Sequence, residues 1–367
     1  MKMKLFAAAV AALAAGGAYA QSSVTLYGVV DAGIEYNNNA GSTGENLFRM
    51  QSGGQSGSRW GLRGVEDLGG GLKGLFVLES GFDIDTGRSG QGTPGVAGDN
   101  RLFGRSAYVG LQNQFGTLTL GRQQTPFYDF GLQFDPMAIA PRYSITSNAP
   151  EFQSRADNAV KYVGKFGGLT ASAMYSFRNE GQEIAGRNVF GREMGALLSY
   201  AAGPFSIGAA YDDLHVGTVA NQAPVIRRAT VAGTYAFGPA KAFAGYRWAK
   251  ASDGATLPGA VGADTTTSNL YWLGLAYQMT PAFSVTGAAY YQDFRRSGAD
   301  PWQFVLTGDY ALSKRTDIYT SLSYTMNKDG SILGVTGFNN PAAAPASWNV
   351  EPGKDQFGAI VGVRHKF

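Results

Sequence analysis

The residues best suited to chemistry are an aspartate and a histidine two positions apart, Asp213 and His215. On a strand this spacing puts both side chains on one side, where the carboxylate could orient an imidazole that activates water. Asp83 and Asp85 form a second pair with the same spacing. The chain has two histidines and no cysteine, so no serine nucleophile with a histidine base and no histidine or cysteine metal site is supported. No cofactor or metal is expected.

The elements that must carry such groups are best defined at the end of the chain. Phe357, Ala359, Val361, Val363 and Phe367 form an apolar row at every second position. The positions between them are mostly polar or glycine. A period of two over this length predicts a strand with one apolar and one polar face.

The start of the chain repeats this pattern from Val24 to Glu35, where apolar Leu26 and Ile34 alternate with Tyr27 and Asp31. A terminal strand inside a membrane can satisfy its backbone groups only by closing on another strand. We therefore expect the first and last strands to pair and to close a barrel.

Residues 1–20 have the features of a secretory signal peptide: two lysines, an apolar run and an Ala-Tyr-Ala cleavage site. The apolar run is shorter than the ~20 residues of a membrane-spanning helix. Residues 21–367 are predicted to form a single barrel domain. Removing Lys2 and Lys4 lowers the formal charge from +3 to +1, and no basic block indicates nucleic-acid binding.

The remaining chain alternates strands, short turns and long polar loops, and we count sixteen strand segments. Its 52 glycines, 19 tyrosines and 22 phenylalanines suit a β protein with many turns and surface aromatics. Residues 37–57 and about 85–100 are expected to be long loops. Several apolar rows end in aromatics, as expected where a lipid-facing wall meets headgroups: Phe205/Ile207/Ala209/Tyr211, Tyr271/Leu273/Leu275/Tyr277, Phe283/Val285/Gly287/Ala289/Tyr291 and Trp302/Phe304/Leu306/Gly308/Tyr310.

A soluble β-sandwich or propeller is the alternative, because its strands also alternate, with the apolar row turned inward. The signal peptide, the aromatics at the strand ends and the small residues within the apolar rows favour a wall that faces membrane lipid. The predicted fold class is therefore all-β, a 16-stranded antiparallel transmembrane barrel.

The chain resembles the general porins of Gram-negative outer membranes, specifically the betaproteobacterial group. The resemblance extends over the whole mature chain, and the stretches that carry it are 22–33, 61–73, 78–82, 116–123, 310–316 and 363–367. It implies a homotrimer with a water-filled pore for passive diffusion of ions and small hydrophilic solutes. It also implies that the third long loop folds into the lumen and that the terminal Phe367 is recognised by the barrel assembly machinery.

In this family an arginine cluster on the barrel wall faces acidic groups on the constriction loop. The matching wall positions here are Arg59, Arg105 and Arg155. Strand alternation agrees for Arg59, which opposes Trp60 and Leu62, and for Arg155, which we place on one side with Asp157 and Lys161. Because an arginine that faced lipid at the midplane would cost ~2–4 kcal/mol, these side chains are expected in the lumen. The alternative is a purely structural role, in which these arginines stabilise the wall by forming ion pairs with acidic neighbours.

The third loop should span residues 123–150 and offers Asp129 and Asp135 as its acidic groups. It lacks the acidic Pro-Glu-Phe-Gly-Gly signature of the enterobacterial branch. Three arginines and Lys161 against two acids predict a weak preference for anions. Asp31, a candidate partner of the arginines, and Arg63 are predicted to line the lumen.

Two other functions remain open at this point. A sugar-specific channel would bind solutes on an aromatic stripe, and the third loop is rich in aromatics. A barrel hydrolase would use Asp213 and His215. Their alternation places them on the lipid face, however, and Asp83 and Asp85 lie about six strands away. The chain is therefore predicted not to be an enzyme.

Overall fold

The computed structural model describes residues 23–91, 101–260, 266–340 and 347–367. The predicted signal peptide lies outside these residues. The strands are β1 (Ser23–Ala40), β2 (Glu45–Ser52), β3 (Arg59–Gly69), β4 (Leu72–Gly81), β5 (Ser106–Asn113), β6 (Gly116–Gln124), β7 (Arg155–Phe166), β8 (Leu169–Ser176), β9 (Glu193–Ala202), β10 (Phe205–His215), β11 (Val225–Phe237), β12 (Ala240–Ser252), β13 (Thr267–Thr280), β14 (Phe283–Phe294), β15 (Trp302–Ala311), β16 (Thr316–Met326), β17 (Leu333–Gly334), β18 (Gly337–Phe338) and β19 (Gln356–Lys366). The helices are α1 (Pro126–Phe134), α2 (Ile145–Asn148) and a 3₁₀ helix (Pro150–Gln153).

Strands β1–β16 and β19 form a closed antiparallel barrel, and β17 and β18 form a separate two-stranded sheet. The predicted closure is confirmed, because β1 pairs with β19 from Val29 opposite Lys366 to Asn37 opposite Gly358. At its end the Gly28 amide donates to the Phe367 carbonyl at 3.0 Å, and the Phe367 amide donates to the Gly28 carbonyl at 3.1 Å. A side chain at position 28 would collide with the Phe367 ring, so the closing contact requires glycine.

β2 and β3 together occupy one strand position of the barrel, next to β1. The strands β1–β16 and β19 therefore fill sixteen positions. β2 pairs with the C-terminal half of β1 and β3 pairs with its N-terminal half. The expected loop at 37–57 is thus wrong over most of its length, because β1 continues to Ala40 and β2 covers 45–52. Polar residues are tolerated in this ladder since Glu35 on the lumen side accepts a hydrogen bond from Arg49 at 2.7 Å.

The outer wall is apolar, as predicted. Leu273 is 65% exposed on β13 whereas its neighbour Trp272 is 2% exposed on the lumen side. Aromatics stand at both ends of the outward rows, including Tyr271 and Tyr277 on β13. Among the described residues, no helix combines the length and apolar character needed to cross a membrane.

The two ends of the barrel differ. At one end the strands are joined by turns of a few residues, such as those at 70–71, 203–204 and 238–239. At the other end they are joined mostly by longer loops, which in outer-membrane barrels face the cell exterior. The longest described segment between consecutive strands, residues 125–154, fills part of the lumen and supplies the main buried cluster.

Candidate pore constriction

Helix α1 is the element that narrows the lumen. Thr125 caps it by accepting a hydrogen bond from the Tyr128 amide at 3.3 Å, and Pro126 occupies its first turn. Phe127, Phe130 and Phe134 are fully buried on one side of the helix. Leu132 on the opposite side is 48% exposed and faces the water-filled space.

The buried side of α1 packs on the inner wall through aromatic contacts. The rings of Phe130 and Phe134 are 4.8 Å apart, and Trp272 of β13 stands edge-on to Phe130 at 6.5 Å and to Phe152 at 6.0 Å. The Trp272 indole donates to the Phe134 carbonyl at 3.0 Å. The aromatics of the third loop therefore hold it to the wall and do not form the exposed stripe that a sugar channel needs.

Polar contacts fix the rest of the loop to the wall. Glu151 pairs with Arg247 of β12 at 3.0 Å, and the Tyr143 hydroxyl donates to Glu35 at 3.0 Å. Asp135 accepts hydrogen bonds from the Tyr290 hydroxyl at 2.6 Å and from the Ile139 amide at 2.7 Å. Burial raises the pKa of Asp135 to about 6. Asp135 thus does not face the gap as expected; it is buried against the wall because it ends α1 beside Tyr290.

A cavity of about 320 Å³ on the long-loop side of α1 brings the three expected arginines together. Arg59, Arg105 and Arg155 line it with Arg142, which comes from the third loop itself. The loop therefore contributes a cation to this space, where the sequence predicted an acid.

One wall carboxylate serves two of these arginines. Glu79 on β4 accepts from Arg105 Nε at 2.7 Å and lies 3.8 Å from Arg59 Nε. It also accepts from the Tyr27 hydroxyl at 3.0 Å. The Arg155 guanidinium stacks 5.1 Å above the Tyr128 ring and donates to Gln91 at 3.1 Å.

Arg142 lies close to the insert between β2 and β3. Its amide donates to the Gly54 carbonyl at 3.2 Å, and its guanidinium forms no ion pair with a described residue. Burial lowers the pKa of Arg142, an effect that nearby Glu35 opposes. The cavity lining holds four guanidinium groups and the carboxylate of Asp83, so its fixed charge is positive.

A second cavity of about 450 Å³ lies on the short-turn side of α1. Here Lys161 pairs with Asp129 at 2.5 Å and donates to the Gln124 carbonyl at 2.8 Å. Burial raises the pKa of Asp129, and Lys161 acts in the opposite direction. Leu132 lines both cavities, so the narrow passage between them runs past this side chain.

Lys161 and Arg155 both face the lumen but line different cavities, because they lie six residues apart along β7. Between them β7 contains a bulge: its register with β6 shifts between Gly121 and Gln123, and Asn158 adopts φ 49°. Asp157 binds Arg101 and Arg122 at 2.9 and 2.8 Å.

Asp31 is buried in the wall but does not partner the arginines as expected. Its carboxylate accepts hydrogen bonds from the amides of Gly54, Gln55 and Ser56 and from the Tyr319 hydroxyl at 2.6 Å. It thereby holds the insert 53–58 in the lumen. Three consecutive amides satisfy it, so it needs no cation.

The other expected residues occupy the barrel wall. The Arg63 guanidinium lies 5.3 Å from the Tyr27 ring, and Phe367 is in the closing contact with Gly28. Asp213 and His215 lie 3.4 Å apart, but Arg227 pairs with Asp213 at 2.8 Å and Arg192 contacts His215 at 2.8 Å.

Sequence reasoning placed Glu79 on an inner face and Arg142 in the third loop without giving either a role, and it missed the buried pairs Arg228–Asp212 and Arg247–Glu151. The buried wall residues Asp212, Arg228 and Arg247 could have been predicted, because they are charged and lie on the face opposite the apolar rows of β10, β11 and β12. No periodicity marks Arg142, because the third loop is irregular around it.

A closed barrel with an apolar exterior, a polar lumen and an inward loop defines the class of channel-forming outer-membrane proteins. The chain belongs to the Gram-negative porin family, whose model matches residues 7–330. Outer membrane porin protein 32 of Delftia acidovorans is 34% identical over the full length of both chains. An outer membrane porin protein of Bordetella pertussis is 34% identical and covers 89% of this chain and 95% of its own length. A solved structure, an anion-selective porin from Comamonas acidovorans, has 29% identity and a TM-score of 0.78, covering 95% of this chain and 100% of that one. The protein is thus a porin of the outer membrane.

Proposed function

We propose that this porin lets small hydrophilic solutes and ions diffuse passively and that it prefers anions weakly. The observation that carries the proposal is the set of four arginines, Arg59, Arg105, Arg142 and Arg155, around one cavity beside α1. Glu79 and Asp83 offset part of their charge. A narrow passage with fixed positive charge raises the local concentration of anions and lowers that of cations.

The proposed constriction has a basic wall, and its acidic groups compensate only part of that charge. Lys161 and Asp129 neutralise each other on the short-turn side, which leaves the arginines to set the preference. Leu132 and Tyr128 supply the apolar rim. The solved porin from Comamonas acidovorans, which is described as anion-selective, supports the same preference for this chain.

The test is the reversal potential of the reconstituted protein in a planar bilayer with a KCl gradient. The wild type should favour Cl⁻ over K⁺, and R59Q/R105Q/R155Q should shift the reversal potential towards cation selectivity. The matched control R88Q/R187Q/R315Q removes three exposed arginines outside the cavity lining. A wild type that favours K⁺, or a triple variant that behaves like the control, would contradict the proposal.

The assembly proposal is a homotrimer embedded in outer-membrane lipid, formed from residues 21–367 after removal of residues 1–20. Family membership and the long outward apolar rows support it. In a planar bilayer the conductance should change in groups of three equal steps, one for each pore of a trimer. Conductance that changes only in single, ungrouped steps would contradict the trimer. Mass spectrometry of the purified protein should find Gln21 as the first residue.

We further propose that Phe367 is read by the barrel assembly machinery. Phe367 is 46% exposed and lies in the contact between Gly28 and β19 that closes the barrel. Deleting Phe367 should lower the amount of folded porin in the outer membrane, measured as the heat-modifiable band on unboiled gels. The substitution Lys366→Ala is the control.

No catalytic activity is proposed. The ion pair of Asp213 with Arg227 and the contact of His215 with Arg192 leave neither group available as a free general base.

A further inference from the structure

The insert 53–58, which connects β2 to β3, is a second segment that enters the lumen beside the third loop. β1 pairs with β3 as far as Val29 and with β2 from Ala32 onward. Asp31 lies where the partner changes, and the insert belongs to neither ladder. The chain therefore leaves the wall at this point and projects into the lumen.

The insert is folded around Asp31, which is completely buried. The Gly53 amide donates to the Asp31 carbonyl at 2.8 Å, and the Asp31 amide donates to the Ser58 hydroxyl at 3.1 Å. The carboxylate accepts from the amides of residues 54–56 and, at 2.6 Å, from the Tyr319 hydroxyl. One residue of β1 thus binds both ends and the middle of the insert.

Strand β16 holds the insert closely against the wall. A side chain at Gly54 would collide with the Tyr319 hydroxyl, so the close approach requires glycine. The side-chain amide of Gln55 donates to the Ser321 hydroxyl at 2.8 Å. Because the insert has no ladder of its own, its position depends on these contacts and on the Asp31 carboxylate.

The other side of the insert contacts three of the four arginines that line the first cavity. The Gly57 carbonyl accepts from Arg59 Nη1 at 3.1 Å, and a Cβ on Gly57 would lie 3.1 Å from Arg105 Nη1. The Gly54 carbonyl accepts from the backbone amide of Arg142 at 3.2 Å. Arg59 belongs to the wall and Arg142 to the third loop, so the insert joins the two sides of the cavity.

We propose that the insert is a second constriction element and that Asp31 is a positioning residue for ion selectivity. Buried Asp31 is out of reach of solutes; it fixes the segment that orients Arg59 and binds the third loop at Arg142. This inference rests on the proposed anion preference. It also reverses the simple electrostatic expectation, because removing the negative charge of Asp31 should weaken the preference for anions.

The first test is D31N in the full-length porin, reconstituted in a planar bilayer with a KCl gradient. Asparagine keeps the size of the side chain but replaces one acceptor oxygen by an NH₂ group, which cannot accept from the insert. The insert should detach, and Arg59 and Arg142 should lose their fixed positions. The permeability ratio of Cl⁻ to K⁺ should therefore fall towards one, and the single-channel conductance should rise.

The matched control is D83N, which removes a carboxylate from the lining of the same cavity. Asp83 is exposed and lies outside the insert. Loss of its fixed negative charge should raise the permeability ratio of Cl⁻ to K⁺, in the direction opposite to D31N. A ratio that rises in D31N as it does in D83N would overturn the positioning role of Asp31.

Y319F tests the same contact without any change of charge. It removes one of the four donors to the Asp31 carboxylate, so the permeability ratio should fall, by less than in D31N. Y324F on the same strand is its control, because the Tyr324 hydroxyl binds Asp355 and not the insert. Equal ratios for Y319F and Y324F would overturn the proposal, even if D31N failed to fold on heat-modifiable gels.

The two readouts separate this inference from the proposed anion preference. A wild type that favours K⁺ would contradict the anion preference, whereas the conductance of D31N would still report on the insert. Equal conductance in D31N and D83N would show that the insert does not narrow the pore, whatever the ion preference.

Discussion

At the scale of single side chains, Glu79 determines how much of the positive charge of the arginines remains uncompensated in the pore. Its carboxylate is close to both Arg59 and Arg105, so these two cations share one counter-charge. Arg155 and Arg142 have no such partner among the described residues. The uncompensated charge is therefore concentrated beside the third loop.

Replacing Arg142 by glutamine should move the reversal potential towards cation selectivity, because it removes a guanidinium from the cavity lining without breaking a described ion pair. Stability should change little, within about 0.5 kcal/mol, as for other substitutions that break no buried contact. The measurement is the zero-current potential in a KCl gradient, with R187Q as the control. Equal potentials for R142Q and R187Q would exclude Arg142 from the filter.

Asp135 should make docking of the third loop depend on pH. Burial raises its pKa to about 6, above the unfolded value of 3.8, so the docked loop binds a proton that the undocked loop releases between these pH values. The stabilisation that Asp135 gives to the docked loop is fully present below pH 3.8. It is lost as the pH rises through about 6, and the loss amounts to roughly 3 kcal/mol.

This dependence is measurable as the thermal transition of tryptophan fluorescence between pH 4 and pH 8. The wild type should show a higher transition temperature at pH 4 than at pH 7, after subtraction of the D135N profile. If D135N retained the full difference between the two pH values, another group would be responsible.

At the scale of elements, α1 is held mainly by its buried aromatic side. Phe130 is completely buried and contacts Phe134 and Trp272, whereas Leu132 projects into the water-filled space. The same helix therefore contains residues that fix the loop and residues that border the passage.

Phe130→Ala should undock α1, since emptying a buried aromatic site costs about 3–5 kcal/mol. Single-channel conductance should become larger and noisier, and residues 125–154 should become sensitive to protease. Leu132→Ala is the control on the other side of the helix: it should raise conductance modestly and leave protease resistance intact. Intact resistance in F130A would show that the polar contacts alone hold the loop.

At the scale of the whole molecule, the outward rows determine where the protein can reside. Leu273 lies in the middle of a 14-residue strand with 65% of its surface exposed. An exposed apolar band of this kind around the barrel is stable only against lipid.

Leu273→Arg should destabilise the folded barrel in vesicles by about 2–4 kcal/mol, because a charge at the bilayer midplane is poorly solvated. Leu312→Arg, in a short turn where Leu312 is 58% exposed, should cost at most about 1 kcal/mol. Urea unfolding in lipid vesicles measures both values. Equal costs at the two positions would show that the wall at Leu273 does not face the membrane core.

Local sequence determined the strands and their inner and outer faces, because side-chain alternation has a period of two and is readable wherever a strand separates oil from water. The inward third loop and the grouping of Arg59, Arg105 and Arg155 were implied by the family resemblance, and alternation supported that grouping only for Arg59 and Arg155. Alternation did not mark the β7 bulge, where the register with β6 shifts between Gly121 and Gln123.

Only the tertiary structure decided the partners across the lumen. Asp31 binds three amides of the insert 53–58, Asp135 turns to Tyr290, and Arg142 joins the wall arginines from an irregular loop. Each of these arrangements joins residues that are not cross-strand neighbours, and Asp135 and Tyr290 are 155 positions apart. The folded path of the loop selects them, and no local periodicity encodes that path.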